Sequence, residues 1–221
     1  MKTLWKVEVG SQIWAMDHEG SDHDFVVIYQ IPTIEILNDT KTQRPNKVTK
    51  VDGNDVTSYE IGHFINLLIG GNINALQTIL STTIIQEDDN GFMRELQDIV
   101  ISNPSKASFD SIHGIGSQKI DEYIAKGIPV SPKKVGQIMR VLNFGINLFK
   151  NHTYKFNPAF GYHQDDILSS LNKLIEAKDV STLPEKPNES EFRNWLLKIR
   201  LHDLKEYEII NTRPLDETFS L

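Results

Sequence analysis

Apolar and polar residues alternate through Leu4-Trp5-Lys6-Val7-Glu8-Val9, the period of a half-buried strand. The alternation stops at Gly10-Ser11, after which Gln12 to Met16 fits a short helix or turn. Residues 17–21 are polar, contain Gly20 and read as a turn. Asp24-Phe25-Val26-Val27-Ile28-Tyr29 is the clearest strand in the chain, and Pro32 ends it. Residues 38–46, polar and carrying Pro45, read as an exposed loop. Lys47 to Val56 is a weaker strand interrupted by a hairpin turn at Asp52-Gly53-Asn54. Thr57-Ser58-Tyr59-Glu60 fits a capping box, with Thr57 as the cap and Glu60 reaching back to it. The helix it opens puts Ile61, Phe64, Ile65 and Leu68 on one face and stops at Gly70-Gly71.

From Asn72 the period is helical almost to the end: residues 72–80, 91–101, 109–126, 132–150, 164–178 and 189–207. The strongest of these carries Val135, Ile138, Met139, Leu142, Ile146 and Phe149 on one stripe. Residues 180–188, with Pro184 and Pro187, form a linker before the last helix. The order of elements predicts an α+β fold: a small mixed or antiparallel sheet flanked by helices, then a mostly helical C-terminal region. The expected division is a core over residues 1–70 and a helical region over 71–221 that closes a cleft.

Composition narrows the function classes. With 221 residues, 39% hydrophobic and 24% charged, the chain is long enough to bury a core without staples. It has no cysteine, which excludes disulfides, zinc–thiolate sites and cysteine nucleophiles and makes the cytoplasm the expected location. No run approaches the roughly 20 apolar residues of a membrane span, and MKTLWKVEVG does not read as a signal peptide, so no membrane partner is expected. A formal net charge of -7 argues against a broad nucleic-acid clamp but leaves room for a local basic groove or a nucleotide carried with metal.

The candidate chemistry lies in Val9-Gly10-Ser11, ten intervening residues, and Asp22-His23-Asp24-Phe25. Carboxylates at i and i+2 on a strand share a face. Side by side they repel unless a cation sits between them. Magnesium (or manganese) fits, because a hard cation takes carboxylate oxygens and keeps positions for phosphate and water. The Gly10-Ser11 turn lets backbone N–H groups and the Ser11 hydroxyl approach a triphosphate. A third carboxylate is expected on a neighbouring strand; Asp55 is the first choice and Asp52 its competitor, while Glu60 is already explained by the capping box.

This pattern resembles the signature of the DNA polymerase β-type nucleotidyltransferase superfamily, and within it a bacterial and phage family described as predicted nucleotidyltransferases. The resemblance rests on Gly10-Ser11, on Ser21-Asp22-His23-Asp24, and on Asp55-Val56-Thr57-Ser58-Tyr59-Glu60-Ile61 as the third-carboxylate strand and following helix. Gly71-Asn72-Ile73-Asn74-Ala75-Leu76, His113-Gly114-Ile115-Gly116-Ser117-Gln118, and Lys133, Gln137 and Arg140 are similar to further segments, extending it over residues 5 to about 150. It departs from the family at His23, where a tyrosine or apolar residue is usual, at Trp14 in place of tyrosine, and at Gln137 in place of histidine.

The resemblance implies transfer of a nucleoside monophosphate from a nucleoside triphosphate to a hydroxyl acceptor. Asp22, Asp24 and Asp55 would be the catalytic metal ligands, and Gly10, Ser11 and Ser21 would lie at the nucleotide. Lys133, Gln137 and Arg140 share a stripe opposite the apolar one. A solvated helix face is the plain reading of such a stripe; a phosphate grip by Lys133 and Arg140 is the functional one. The acceptor is left open among RNA, protein and small molecule. A non-catalytic nucleotide or RNA sensor, and a regulator that nucleotidylates a partner protein, are the competing readings. His23 faces away from the aspartates, and Trp5, Trp14 and Trp195 read as core residues.

Overall fold

The computed structural model describes residues 1–16, 23–40, 47–51 and 54–212. β1 (Lys2–Val9) pairs antiparallel with β2 (Asp24–Gln30), setting Val9 opposite Asp24 and Val7 opposite Val26. β3 (Lys47–Val51) and β4 (Asn54–Glu60) form an antiparallel pair, and β4 runs parallel to β2. β5 (Ile84–Glu87) adds to the free side of β1, giving the order β3-β4-β2-β1-β5. The one parallel pairing makes the sheet mixed, and the rest of the chain is mostly helical, the α+β arrangement that the pattern predicts.

The helices are α1 (Thr33–Leu37), α2 (Ile61–Ile69), α3 (Ile73–Ile79), α4 (Phe92–Ser102), α5 (Phe109–Lys126), α6 (Pro132–Asn151), α7 (Asp165–Val180) and α8 (Glu189–Thr212). Two apolar cores result. The first joins Trp5, Val7, Val26 and Ile28 of the sheet to Phe64 and Ile65 of α2, Met93 and Leu96 of α4, and Phe192, Trp195 and Ile199 of α8. The second is built from α5, α6 and α7 around Leu142, Phe144, Phe149 and Leu171, and it includes Trp14. Residues from both sides of position 70 therefore share the first core.

Two local expectations are corrected. Residues 57–60 are not a capping box: parallel pairing to β2 keeps them extended to Glu60, which is itself the N-cap of α2 and accepts from the Gly62 N–H at 2.6 Å. The chain after Asn72 is not purely helical, since β5 is a short edge strand held by its ladder to β1. Thr33–Leu37 forms a helix that its own sequence does not cap; Asp203 of α8 accepts the Thr33 N–H at 2.5 Å instead. α8 also holds the sheet through Arg200, which donates to the Ile31 carbonyl at 2.9 Å and pairs with fully buried Glu60 at 2.5 Å.

Candidate active site

The register of the sheet decides what meets what. Asp24 is the first residue of β2, and the parallel pairing places Asp55 directly beside it. Neighbouring strands lie about 4.8 Å apart, so the two carboxylates stand on one face of adjacent strands. That face is shared with Val26, Thr57 and Tyr59 by the strand alternation. His23 and Phe25 belong to the other face: His23 pairs with the largely buried Glu8 and stacks on Phe25, which Lys6 also approaches at 5.1 Å from the ring centroid.

β1 ends beside Asp24 in a left-handed Gly10, φ 75°. A Cβ at that position would stand 2.7 Å from Oδ2 of Asp24, so the close approach of turn and carboxylate requires glycine. The Ser11 carbonyl then accepts from Trp14 and Met16 N–H groups at 3.2 and 3.0 Å, closing the turn. Trp14, fully buried, packs edge-on against Phe144 of α6 and against Phe156. The turn is thereby fixed between the sheet and the helical core.

α6 supplies the opposite wall. Ser131 caps it and Pro132 opens it, a favoured start. Its apolar stripe enters the second core, while Lys133, Gln137 and Arg140 line a cleft of about 610 Å³ together with Gly10, Ser11 and Asp24. A second cleft of about 360 Å³ holds Asp55, Thr57, Asn74 and Gln77, and shares Gly10, Asp24 and Arg140 with the first. Asp24 and Arg140 thus stand where two recesses meet.

Arg140 is mostly removed from water. Burial pushes its guanidinium below the ordinary arginine value, and the negative charge of Asp24 opposes that shift. Its guanidinium carbon lies 5.2 Å from the Trp14 ring, and its Nε is buried without a hydrogen-bond partner among the described residues. An arginine stays charged at neutral pH, so this geometry leaves a desolvated cation able to take an anion. Asp55 is more than half exposed and forms a 3.5 Å ion pair with Lys50, its antiparallel neighbour. An exposed pair of this kind is worth about 0–1 kcal/mol and is readily exchanged.

The structure therefore brings together Gly10, Ser11, Asp24, Asp55, Lys133 and Arg140. Asp22, Ser21 and Asp52 lie outside the described residues. Among the described residues no group of three or more acidic or histidine side chains forms a metal cage. Asp24 and Asp55 are the hard-oxygen donors on hand: the glycine-only gap beside Asp24 and two adjacent carboxylates fit a divalent cation. Phe160 and Tyr162, which line the larger cleft, and Gln77 in the smaller one are not among the candidates the sequence offers. None follows a periodic signal toward the site; the aromatic pair around Gly161 in a segment without helix or strand was the available hint.

The Gly10-Ser11 turn, Asp24 and Asp55 are residues on which the chain resembles the polymerase β-type nucleotidyltransferases. Residues 1–216 match the RNA repair pathway DNA polymerase beta family, RlaP, and the chain belongs to that family. A nucleotidyltransferase-like protein from Exiguobacterium sibiricum is similar in structure at 13% identity and a TM-score of 0.34, over 95% of this chain and 70% of that one. No curated protein matches the chain. Among the described residues, no helix is long and apolar enough to cross a membrane.

Proposed function

We propose that the protein is a divalent-cation-dependent nucleotidyltransferase that moves a nucleoside monophosphate from a nucleoside triphosphate to a ribose hydroxyl at an RNA end. The observation that carries this reading is the in-register pair Asp24 and Asp55 at the junction of two clefts. The larger cleft, with Gly10, Ser11, Lys133 and Arg140, suits the triphosphate. The smaller, with Asp55, Asn74 and Gln77, suits the acceptor. RNA is preferred as acceptor because of the family's name.

In the reaction the acceptor oxygen bonds to the α-phosphorus, the bond from that phosphorus to the bridging α–β oxygen breaks, and pyrophosphate leaves. Asp24 and Asp55, with Asp22 as the expected third carboxylate, would hold magnesium or manganese, which supplies charge neutralisation at the phosphates. Asp55 takes the hydroxyl proton and, being open to solvent, returns it to water. Arg140 grips non-bridging oxygens with its fork, and Lys133 adds a point charge. The Gly10-Ser11 turn seats the β and γ phosphates.

The test uses each α-labelled triphosphate with magnesium and a pool of short RNAs. The wild-type protein should label RNA and release pyrophosphate. Asp24→Asn with Asp55→Asn should lose at least about 100-fold in rate at an unchanged melting profile, since such charge stabilisation is worth several kcal/mol. Transfer retained by the double variant refutes the assignment. Label on protein instead of RNA moves the acceptor.

A further inference from the structure

We infer that Phe160 and Tyr162 form the platform on which the base of the incoming nucleoside triphosphate stacks; this rests on the nucleotidyl-transfer reading. Both side chains line the 610 Å³ cleft that also holds Ser11, Asp24, Lys133 and Arg140. Phe160 is 68% exposed, although the preceding Ala159 is 3% exposed and belongs to the second core. The ring is therefore held at the cleft by an anchored backbone. The Ala159 carbonyl rests against Gly136 of α6, where a Cβ would stand 3.4 Å away. Tyr162 is tied to the same helix, its hydroxyl accepting from the Asn143 side-chain amide at 3.2 Å.

Single exposed apolar side chains are ordinary on protein surfaces. What separates Phe160 is its company. Two aromatic rings share one recess with two cations and the candidate metal carboxylate, the pairing of stacking surface and phosphate-binding charge that nucleotides occupy. Nucleobases offer a π-face whatever their edge, so such a platform discriminates weakly between them. Gln137 is the one side-chain amide among the described residues lining the cleft, and its oxygen already accepts from Lys134 at 3.2 Å. The site thus takes all four ribonucleotides, purines more tightly than pyrimidines.

The experiment measures binding of α,β-methylene ATP, its uridine counterpart, inorganic tripolyphosphate and a short RNA to the full chain with magnesium, for wild type, Phe160→Ala, Tyr162→Ala and Phe160→Trp. Phe160→Ala should weaken the ATP analogue roughly 5- to 100-fold, the range of base–aromatic stacking, and the uridine analogue less. Tripolyphosphate should bind unchanged, Tyr162→Ala should lose in the same direction, and Phe160→Trp should restore affinity. Unchanged ATP-analogue binding by Phe160→Ala overturns the platform but not the transfer reading. Equal loss of tripolyphosphate, or loss confined to RNA, also overturns it. If neither triphosphate compound binds the wild-type chain, both readings fail together.

Discussion

Gly10→Ala separates backbone strain from chemistry at the site. Alanine at φ 75° costs about 1–2 kcal/mol for the left-handed backbone. Its Cβ would also meet Oδ2 of Asp24 at 2.7 Å, closer than such atoms stand, so the carboxylate must shift. Gly91 is the matched control, because its φ of 69° is nearly the same but a Cβ there meets nothing within 4 Å. For a chain of this length each kcal/mol moves the midpoint by about 2–4 °C, so both variants should melt roughly 2–8 °C below wild type. Only Gly10→Ala should lose transfer rate, by about 10- to 100-fold, the cost of misplacing a reacting group by a fraction of an ångström to an ångström. The assay pairs a thermal melt with labelled-nucleotide transfer at saturating magnesium. Full activity in Gly10→Ala, or equal loss in Gly91→Ala, refutes the claim that this contact sets the Asp24 position.

Arg140→Met should lower transfer by raising KM for the triphosphate about 10-fold or more, because the proposed phosphate grip is lost. Its stability in urea should be unchanged or higher, since the buried Nε has no hydrogen bond to lose. Arg200→Met should destabilise the chain by about 3–5 kcal/mol, because it strands the fully buried Glu60; adding Glu60→Gln should recover part of that in a urea titration. Trp14→Ala should cost about 3–5 kcal/mol and reduce transfer as well, because the indole holds the Gly10-Ser11 turn against α6.

Long periodic segments were legible in the sequence. The stripe through Val135, Ile138, Met139 and Leu142 defines α6, and Phe25 to Tyr29 defines β2, because each buries one face against a neighbour. Short elements were not. β5 has four residues, three of them exposed, and exists through its pairing with β1 rather than through its own pattern. α1 is five residues long and is capped by Asp203 from the far end of the chain. The capping-box reading of residues 57–60 failed because local spacing at Thr57 and Glu60 could not weigh the ladder to β2. At the candidate site, residue type and spacing singled out Asp24 and Asp55, whereas their parallel register is a tertiary fact. Phe160 was hidden because a loop residue carries no period, and only packing shows which recess it faces.

Under the proposed function Asp24 and Asp55 jointly hold a divalent cation beside the nucleotide. Titration of manganese, followed by its paramagnetic resonance signal with a non-hydrolysable triphosphate present, tests it directly. The wild-type chain should give a protein- and nucleotide-dependent bound signal that is lost in Asp24→Asn and sharply weakened in Asp55→Asn. Manganese bound equally by all three proteins would contradict it.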